Sequence, residues 1–422
     1  MDRSSRRGFL AAMGSAVFAG CSTLDGRDRP ETLTPYELAH ITGSRSETAR
    51  PFVGPQPLGR AAVPADAGEP PSFERERIYE SAARQYATGV VQRGDGLGVL
   101  LAVWGHYGAR PPVLLEADAS GLEQSHSELP SPPSNRVWWL GRMGEQLTVC
   151  GADGRGGARM SWVQGYRDRT ESFEYTTMSG TVFSSAVTVA DSIVIAGRNM
   201  HRIGLNETSD AVCVRLGADG QQAWKAVESS AVHQRYWAVT TTSNGILAGG
   251  ASDGSPFVVA YTLDGRERWQ RTIPRGGQSY AIRAITNGPT GTYAVARTSQ
   301  YGAGDNHLLL LSLDDDGIAW ARVFDPNTLG SRDSPDELAV AGVHDDSGPV
   351  IVGTTSNRAW LAATDPDGSM RWAGYCPSLE ADSPTYRDPA GTTTIDGRIV
   401  VYGNAVDRES ERPTPNGWLA WL

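Results

Sequence analysis

The stretch VCVRLGADGQQAWKAV (Val212–Val227) reads as an apolar strand, an Asp-Gly turn and a second strand that carries a tryptophan. The same order recurs in VVAYTLDGRERWQRTI (Val258–Ile273), LLLLSLDDDGIAWARVF (Leu308–Phe324) and WLAATDPDGSMRWAGY (Trp360–Tyr375). The tryptophans Trp224, Trp269, Trp320 and Trp372 are therefore 45, 51 and 52 residues apart. A period of this length is typical of stacked β units, none of which can bury its apolar face alone.

Two further apolar strands precede each of these segments, for example RYWAVTT from Arg235 and GILAGGA from Gly245. Four antiparallel strands in about 48 residues make one blade of a β-propeller. Weaker copies flank the clear ones: Phe173 replaces the tryptophan in one, and the last copy lacks its fourth strand. We predict that SFERERIYE (Ser72–Glu80) supplies that strand. The prediction is an all-β fold, a seven-bladed propeller of four-stranded antiparallel blades closed by an N-terminal strand.

The Asp-Gly turns have a conformational explanation. Glycine adopts the positive φ of a hairpin turn at little cost, and the Asp side chain caps the turn. Calcium at 314–317 or 365–368 is the alternative, but calcium takes about 6–8 oxygens and neither segment has the bidentate Glu of an EF-hand loop. We expect the tryptophans to fill the wedge between adjacent blades.

The N-terminus has the features of an export signal. Arg6 and Arg7 lie in SRRGFL, which resembles the twin-arginine consensus, and the apolar run that follows is too short to span a bilayer. The run ends at FAGC, which resembles a lipobox, so Cys21 is the expected lipidation site. An ordinary cleaved signal is the alternative. We predict a signal peptide over 1–21, a flexible tether over 22–71, a propeller domain over 72–422, and a protein held by lipid on the outer face of the cell membrane.

Composition narrows the possible partners. The net charge of −10 argues against nucleic acid as a ligand, because phosphates need clustered cations. Lysine occurs once, at Lys225, whereas arginine is abundant, a bias that together with the acidic total suits a GC-rich or halophilic organism. Together with the twin-arginine signal, it suggests a haloarchaeal source. Cys150 and Cys213 lie in apolar strands and are expected to be buried free thiols. Asn206-Glu207-Thr208 is a glycosylation sequon, which makes Asn206 a possible modification site.

The pattern L-D-x-D-G-x-x-x-W over residues 72–422 resembles the repeats of quinoprotein-like (PQQ-like repeat) β-propellers. That family includes quinone-dependent alcohol dehydrogenases and non-catalytic, lipid-anchored scaffolds that bind proteins or cell-envelope components. The dehydrogenases have eight blades and a vicinal disulfide, whereas this chain has seven predicted blades and no adjacent cysteines. The resemblance is closer to the non-catalytic members. A cofactor stays unknown, since no motif locates PQQ or calcium.

A binding site in a propeller is expected where the innermost strands begin, around the central channel. Aligning those strand starts gives a set that could stack on a sugar or planar ligand and hydrogen-bond its edges. The alternative is that these side chains only plug or line the channel. The residues are Tyr86, Arg136, Tyr236, Tyr280, Glu337 and Tyr386, with Phe183 at the remaining aligned start.

The resulting functional prediction is a secreted, lipid-anchored binding or scaffold module, more in keeping with a non-enzyme, whose partner is an envelope protein or polysaccharide. A quinone-dependent oxidoreductase is the first alternative. A polysaccharide hydrolase or lyase is the second, and it would need a pair of carboxylates on the channel rim, where only Glu337 is aligned. No motif of catalytic residues occurs in the sequence.

Overall fold

The structure is a computed structural model. It describes a set of ranges that covers most of the chain after residue 84, together with two short stretches before it: 59–60, 70–79, 85–103, 111–129, 137–153, 160–167, 170–177, 180–203, 206–229, 233–273, 280–298, 308–324, 337–341, 348–355, 358–375, 385–407 and 415–422.

The strands of the described residues form seven sheets, each built on four antiparallel strands, and in six of the sheets these four follow chain order from the innermost outward. We call the first four sheets blades 1 to 4. Blade 1 contains β3 (Gln85–Arg93), β4 (Gly96–Val103), β5 (Val113–Asp118) and β6 (Glu123–Glu128), and blade 2 contains β7 (Val137–Met143), β8 (Gln146–Asp153), β9 (Met160–Arg167) and β10 (Thr170–Thr176). Blade 3 contains β11 (Thr181–Val189), β12 (Ser192–Ile203), β13 (Asn206–Gly217) and β14 (Gln222–Glu228), and blade 4 contains β15 (Gln234–Thr242), β16 (Gly245–Ser252), β17 (Ser255–Tyr261) and β18 (Glu267–Thr272).

Blades 5 to 7 follow the same plan, with one added strand in blade 5 and an N-terminal strand in blade 7. Blade 5 contains β19 (Tyr280–Gly288), β20 (Gly291–Thr298), β21 (Leu308–Asp314) and β22 (Gly317–Phe324). Blade 6 contains β23 (Glu337–Ala341), β24 (Val350–Thr355), β25 (Arg358–Thr364) and β26 (Met370–Tyr375). Blade 7 contains β27 (Thr385–Ile395), β28 (Arg398–Asp407), β29 (Pro415–Trp421) and, outermost, β2 (Arg75–Tyr79). Within the segment predicted as a tether, β1 (Gly59–Arg60) pairs in parallel with the outer edge of β22.

The ring closes through the N-terminal strand, as the sequence predicts. Strand β2 pairs antiparallel with β29, from Arg75 opposite Trp421 to Tyr79 opposite Gly417. The first strands of successive blades contact one another around the ring, and β27 of blade 7 returns to β3 of blade 1. The seven-bladed β-propeller predicted from the repeats is therefore confirmed. The described residues include no helix long and apolar enough to cross a membrane.

The core lies between the blades, because each sheet packs on a neighbour through both of its faces. Middle strands are consequently continuous apolar runs rather than alternating ones, as at Leu308–Leu311, where all four leucines are buried. Cys150 and Cys213 are fully buried free thiols in these layers, which confirms the expectation for both.

The repeated tryptophans tie each blade to the next. The Trp224 indole nitrogen donates a hydrogen bond to the Leu263 carbonyl oxygen (2.9 Å), in the turn of the following blade. Trp269 makes the same bond to the Asp315 carbonyl oxygen (2.8 Å). The expectation that these side chains pack between blades is confirmed, and it explains why the indole and the Asp-Gly turn recur together.

Candidate site at the central channel

The innermost strands carry a feature that the repeat pattern does not reveal. In six of the seven, one extra residue interrupts pairing with the second strand, so that two residues lie opposite one. A bulge of this kind redirects a side chain and is often found beside functional sites. The inserted residues are Thr88, Trp138, Ser184, Trp237, Arg283 and Ala390.

The bulges divide each inner strand into a core position and a channel position. The residue just before the insertion is buried in all six strands, and every inserted residue is at least partly exposed. Among the residues that the structure describes, no strand pairs with the other edge of an inner strand, which lies towards the centre of the ring. The inserted side chains thus keep part of their surface exposed, although Trp138 also packs against the core between blades 2 and 3.

Three neighbouring blades bring charged and aromatic side chains together at or beside the inserted positions. The Arg235 guanidinium carbon lies 3.2 Å from the centroid of the Trp237 ring, and the Arg283 carbon lies 4.1 Å from it. Arg235 also donates a hydrogen bond from Nη2 to Ser184 Oγ (3.0 Å) in blade 3. We call Ser184, Arg235, Trp237 and Arg283 the channel cluster.

The chemistry of the channel cluster favours an anion. A cation over an indole face is stabilised by the ring quadrupole, and packing against the ring limits the conformations of a guanidinium. The planar guanidinium presents paired N–H donors that match a carboxylate or phosphate. None of the six inserted residues is acidic, and Arg283 is the charged residue among them.

The residues predicted from the sequence fall at different distances from these bulges. Tyr86 is two residues before its inserted residue, the position that Arg235 occupies in blade 4. Tyr280 is three residues before Arg283, and Tyr386 is four before Ala390, so alignment by strand start combined positions that are not equivalent. Arg136 lies outside the described residues; for Glu337 and Tyr386 the structure describes only the backbone, in β23 and β27.

Tyr236 lies in the core rather than on the channel rim. It occupies the position just before the insertion, is fully buried, and stacks on Phe257 with ring centroids 5.1 Å apart. Its hydroxyl is 2.7 Å from the Tyr261 hydroxyl, which donates to Glu228 Oε1 (2.7 Å). Because the Tyr261 proton is committed to Glu228, Tyr236 is the donor to Tyr261. Burial raises the pKa of both phenols, so the hydroxyls of Tyr236 and Tyr261 stay protonated and keep these hydrogen bonds.

Aligning the starts of the innermost strands missed Trp237, Arg235 and Arg283, because a bulge cannot be recognised from the periodicity of apolar residues. One inserted residue exchanges the two faces of a strand, so the side chain expected in the channel enters the core. The available signal was the Arg-x-Trp of RYWAVTT, in which two large polar or amphipathic side chains interrupt an otherwise apolar strand.

At the Asp-Gly turns, aspartate carboxylates cap the backbone of the turn. Asp314 Oδ1 accepts hydrogen bonds from the backbone N–H groups of Asp316 (2.9 Å) and Gly317 (2.8 Å), and Asp367 Oδ1 accepts one from Ser369 (2.8 Å). The capping bond to Ser369 lowers the pKa of the Asp367 carboxyl. No group of three or more potential metal ligands occurs in the described parts of the chain. These turns therefore use their aspartates as caps, the role that the sequence predicts for them.

The remaining predicted sites bear on export and modification. Arg6, Arg7 and Cys21 lie outside the described residues. Asn206 is the first residue of β13, and its backbone pairs with Ile203 across the hairpin from β12. Its glycosylation stays a prediction.

Comparison with known proteins supports the fold alone. No protein-family model and no curated protein matches the sequence. Among solved structures, the chain is similar to hydrazine synthase from Kuenenia stuttgartiensis (12% identity, TM-score 0.53, covering 80% of this chain and 96% of that one) and to the polysaccharide lyase Uly1 (9%, 0.51, 83% and 99%). It is also similar to Sqt1 from Chaetomium thermophilum (10%, 0.50, 86% and 98%). The protein is a seven-bladed β-propeller, a class that includes unrelated activities.

Proposed function

We propose that this protein is a lipid-anchored binding module on the outer face of the cell membrane, and that its channel takes an acidic polysaccharide of the cell envelope. The observation that carries the proposal is the channel cluster, in which two arginines from adjacent blades pack on one indole. Arg6, Arg7 and Cys21 support the location. A polymer with regularly spaced carboxylates provides groups that two neighbouring guanidinium groups can bind together.

The channel cluster favours binding over the oxidoreductase alternative. A quinone would need an exposed aromatic face on which to stack, whereas guanidinium groups already pack against the Trp237 ring. The hydrolase or lyase alternative would need paired carboxylates on the rim, and the inserted residues of the described inner strands include none.

The binding proposal is tested with polygalacturonate, an acidic polymer, and dextran, a neutral one. Protein carrying Cys21→Ser is titrated with each by calorimetry at low and high salt. We expect binding to polygalacturonate only, weakened by salt because the attraction is between exposed charges. Replacing Trp237 with Ala removes the surface that orders both arginines and should weaken binding about tenfold. The matched control is Arg266→Gln, at an exposed turn of blade 4. Equal affinity for both polymers, or an unchanged affinity in Trp237→Ala, would contradict the proposal.

The anchor is tested separately by cell fractionation. In cells that export the protein, Cys21→Ser should move it from the membrane fraction to the medium, whereas Cys376→Ser should leave it on the membrane. The Cys21→Ser variant should retain the folded propeller, since Cys21 precedes the domain. A Cys21→Ser protein that stays with the membrane would show that another segment anchors it.

A further inference from the structure

Blade 1 departs from the repeat at the position where blades 2 to 6 carry their inter-blade aromatic residue. In the outer strands, that residue comes directly after a bulge and pairs with the third strand, as Trp224 pairs with Arg215 and Trp269 with Ala260. Blade 2 has Phe173 there. In blade 1 the equivalent residue is Ser125, opposite Glu116. The boundary between blades 1 and 2 therefore lacks the outer-strand ring that blades 2 to 6 provide at the boundaries that follow them.

A cavity of about 490 Å³ lies at this boundary, within the size range of small-molecule sites. Its apolar wall includes leucines from both blades, Leu114, Leu129 and Leu147, and the aromatic ring of Tyr166, all of which are buried. Ser127 also lines the cavity and lies two residues beyond Ser125 on the same face of β6. The cavity thus occupies the side of blade 1 from which the aromatic residue is missing.

The polar wall of the cavity has more positive than negative groups. Arg93, Arg142 and Arg167 line it, together with Glu128 and Glu145. Arg142 is 3.5 Å from Glu145, but the Glu145 side chain is 88% exposed, so water weakens this pair. Arg93 forms an ion pair with Glu116. Arg167 lies at the end of β9 and is exposed to solvent.

Polar atoms replace the missing ring beside the cavity. Ser125 Oγ donates a hydrogen bond to Glu116 Oε2 (2.9 Å), and the other oxygen of that carboxylate bonds Arg93. These two bonds hold the Arg93 guanidinium at the cavity wall. Ser125 therefore helps to position Arg93, and its small side chain also leaves the wedge between the blades open. An apolar wall faced by oriented arginines suits a molecule that has a hydrocarbon body and an anionic head.

We propose that the cavity between blades 1 and 2 binds a small amphipathic anion, whose carboxylate or phosphate contacts Arg142 and Arg167 and whose hydrocarbon part lies on the three leucines. This site is separate from the channel cluster and does not depend on the function proposed there.

The test uses decanoate and decyl phosphate as probes, with decanol and inorganic sulfate as controls that each carry only half of the required chemistry. Binding to the full chain carrying Cys21→Ser is measured by calorimetry, so that no detergent competes. We expect one molecule of decanoate or decyl phosphate per chain and at least about tenfold weaker binding of decanol and of sulfate. The preferred probe distinguishes a carboxylate ligand from a phosphate ligand. Absence of binding by both probes would overturn the proposal.

Variants locate the binding. Arg142→Gln combined with Arg167→Gln should weaken the binding of the preferred probe about tenfold, since each removes a charge-assisted hydrogen bond. Ser127→Trp should block the cavity by volume without changing its charge. Arg266→Gln and Trp237→Ala, which alter other surfaces, should bind as the parent does. If the arginine variant and Ser127→Trp both melt as the parent does and keep its affinity, the probe binds elsewhere and the proposal is wrong.

Discussion

At the scale of single residues, the propeller depends on glycines that two constraints require at once. Gly265 has φ of +86°, and a Cβ there would lie 2.6 Å from the Trp224 ring of the preceding blade. The same arrangement places Phe173 over Gly220 and Trp320 over Gly368. The turn glycine is thus needed both for its backbone conformation and for the close approach of an aromatic ring.

The two constraints at Gly265 can be separated by substitution. Gly265→Ala should lower the free energy of unfolding by about 2–4 kcal/mol, because positive φ costs about 1 kcal/mol and the overpacked indole costs the rest. Gly94 provides the matched control, since it has φ of +63° and nothing within 4 Å of an added Cβ. Denaturant titration of Gly94→Ala should show only the smaller loss. Equal losses in the two variants would mean that the Trp224 contact contributes nothing.

At the scale of elements, the closing segment connects the two ends of the domain through side chains as well as backbone. Phe73 is buried with its ring 5.6 Å from that of Trp418, edge to face. The Trp418 indole nitrogen donates to Glu76 Oε1 (3.2 Å), and the Tyr79 hydroxyl donates to the Gly121 carbonyl oxygen (2.8 Å) in blade 1. The segment therefore joins blade 7 to blade 1 in the way that the tryptophans join the other blades.

The contribution of the closing segment is measured with two truncations in it. Phe73→Ala should lower the unfolding free energy by about 3 kcal/mol, because it leaves a cavity in a buried cluster. Ile78→Ala should have a much smaller effect, since Ile78 is 39% exposed. Thermal and denaturant unfolding would report both values. If Phe73→Ala left the main transition unchanged, the closing strand would open independently of the ring.

At the scale of the whole molecule, the closed ring predicts that the blades unfold together. Each inter-blade cluster contains residues of two sheets, as where Val258 of blade 4 and Leu311 of blade 5 share one. Opening any boundary would expose apolar surface on both neighbours, which costs about 25 cal/mol for each Å². Because the ring is closed, every blade also has a neighbour on both sides, and no blade stands at an open end where unfolding could begin first.

The buried thiols in blades 2 and 3 test this cooperativity. Burial raises the pKa of Cys150 and of Cys213, so neither is expected to react with a thiol reagent while the protein is folded. In two variants, each retaining one of these cysteines and serine at the other three positions, both thiols should become reactive at the same denaturant concentration. Separate midpoints would show that blades 2 and 3 unfold as independent units.

The sequence predicted features that repeat and missed features that depend on a single inserted or exchanged residue. The number of blades could be predicted because the tryptophans and the Asp-Gly turns recur along the chain. The closure of the ring could be predicted because the last blade lacks a fourth strand and the segment at 72–80 can supply it. The placement of Tyr236 failed because one bulge shifted it from the channel to the core. Ser125 escaped notice for a related reason: its equivalence to Trp224 becomes visible only when strand register is known.

By itself, then, the amino-acid sequence determined the number of blades, the order of strands and the way the ring closes. Those follow from local patterns of apolar and turn-forming residues, which recur along the chain. Only the tertiary structure decided which side chains face the channel and where a cavity remains. Both depend on strand register. A bulge changes the direction in which one side chain points, and a missing aromatic ring leaves a cavity only where it would have packed on the neighbouring blade. Trp237, with Arg235 and Arg283 packed on it, and the space beside Ser125 are the two results of that register.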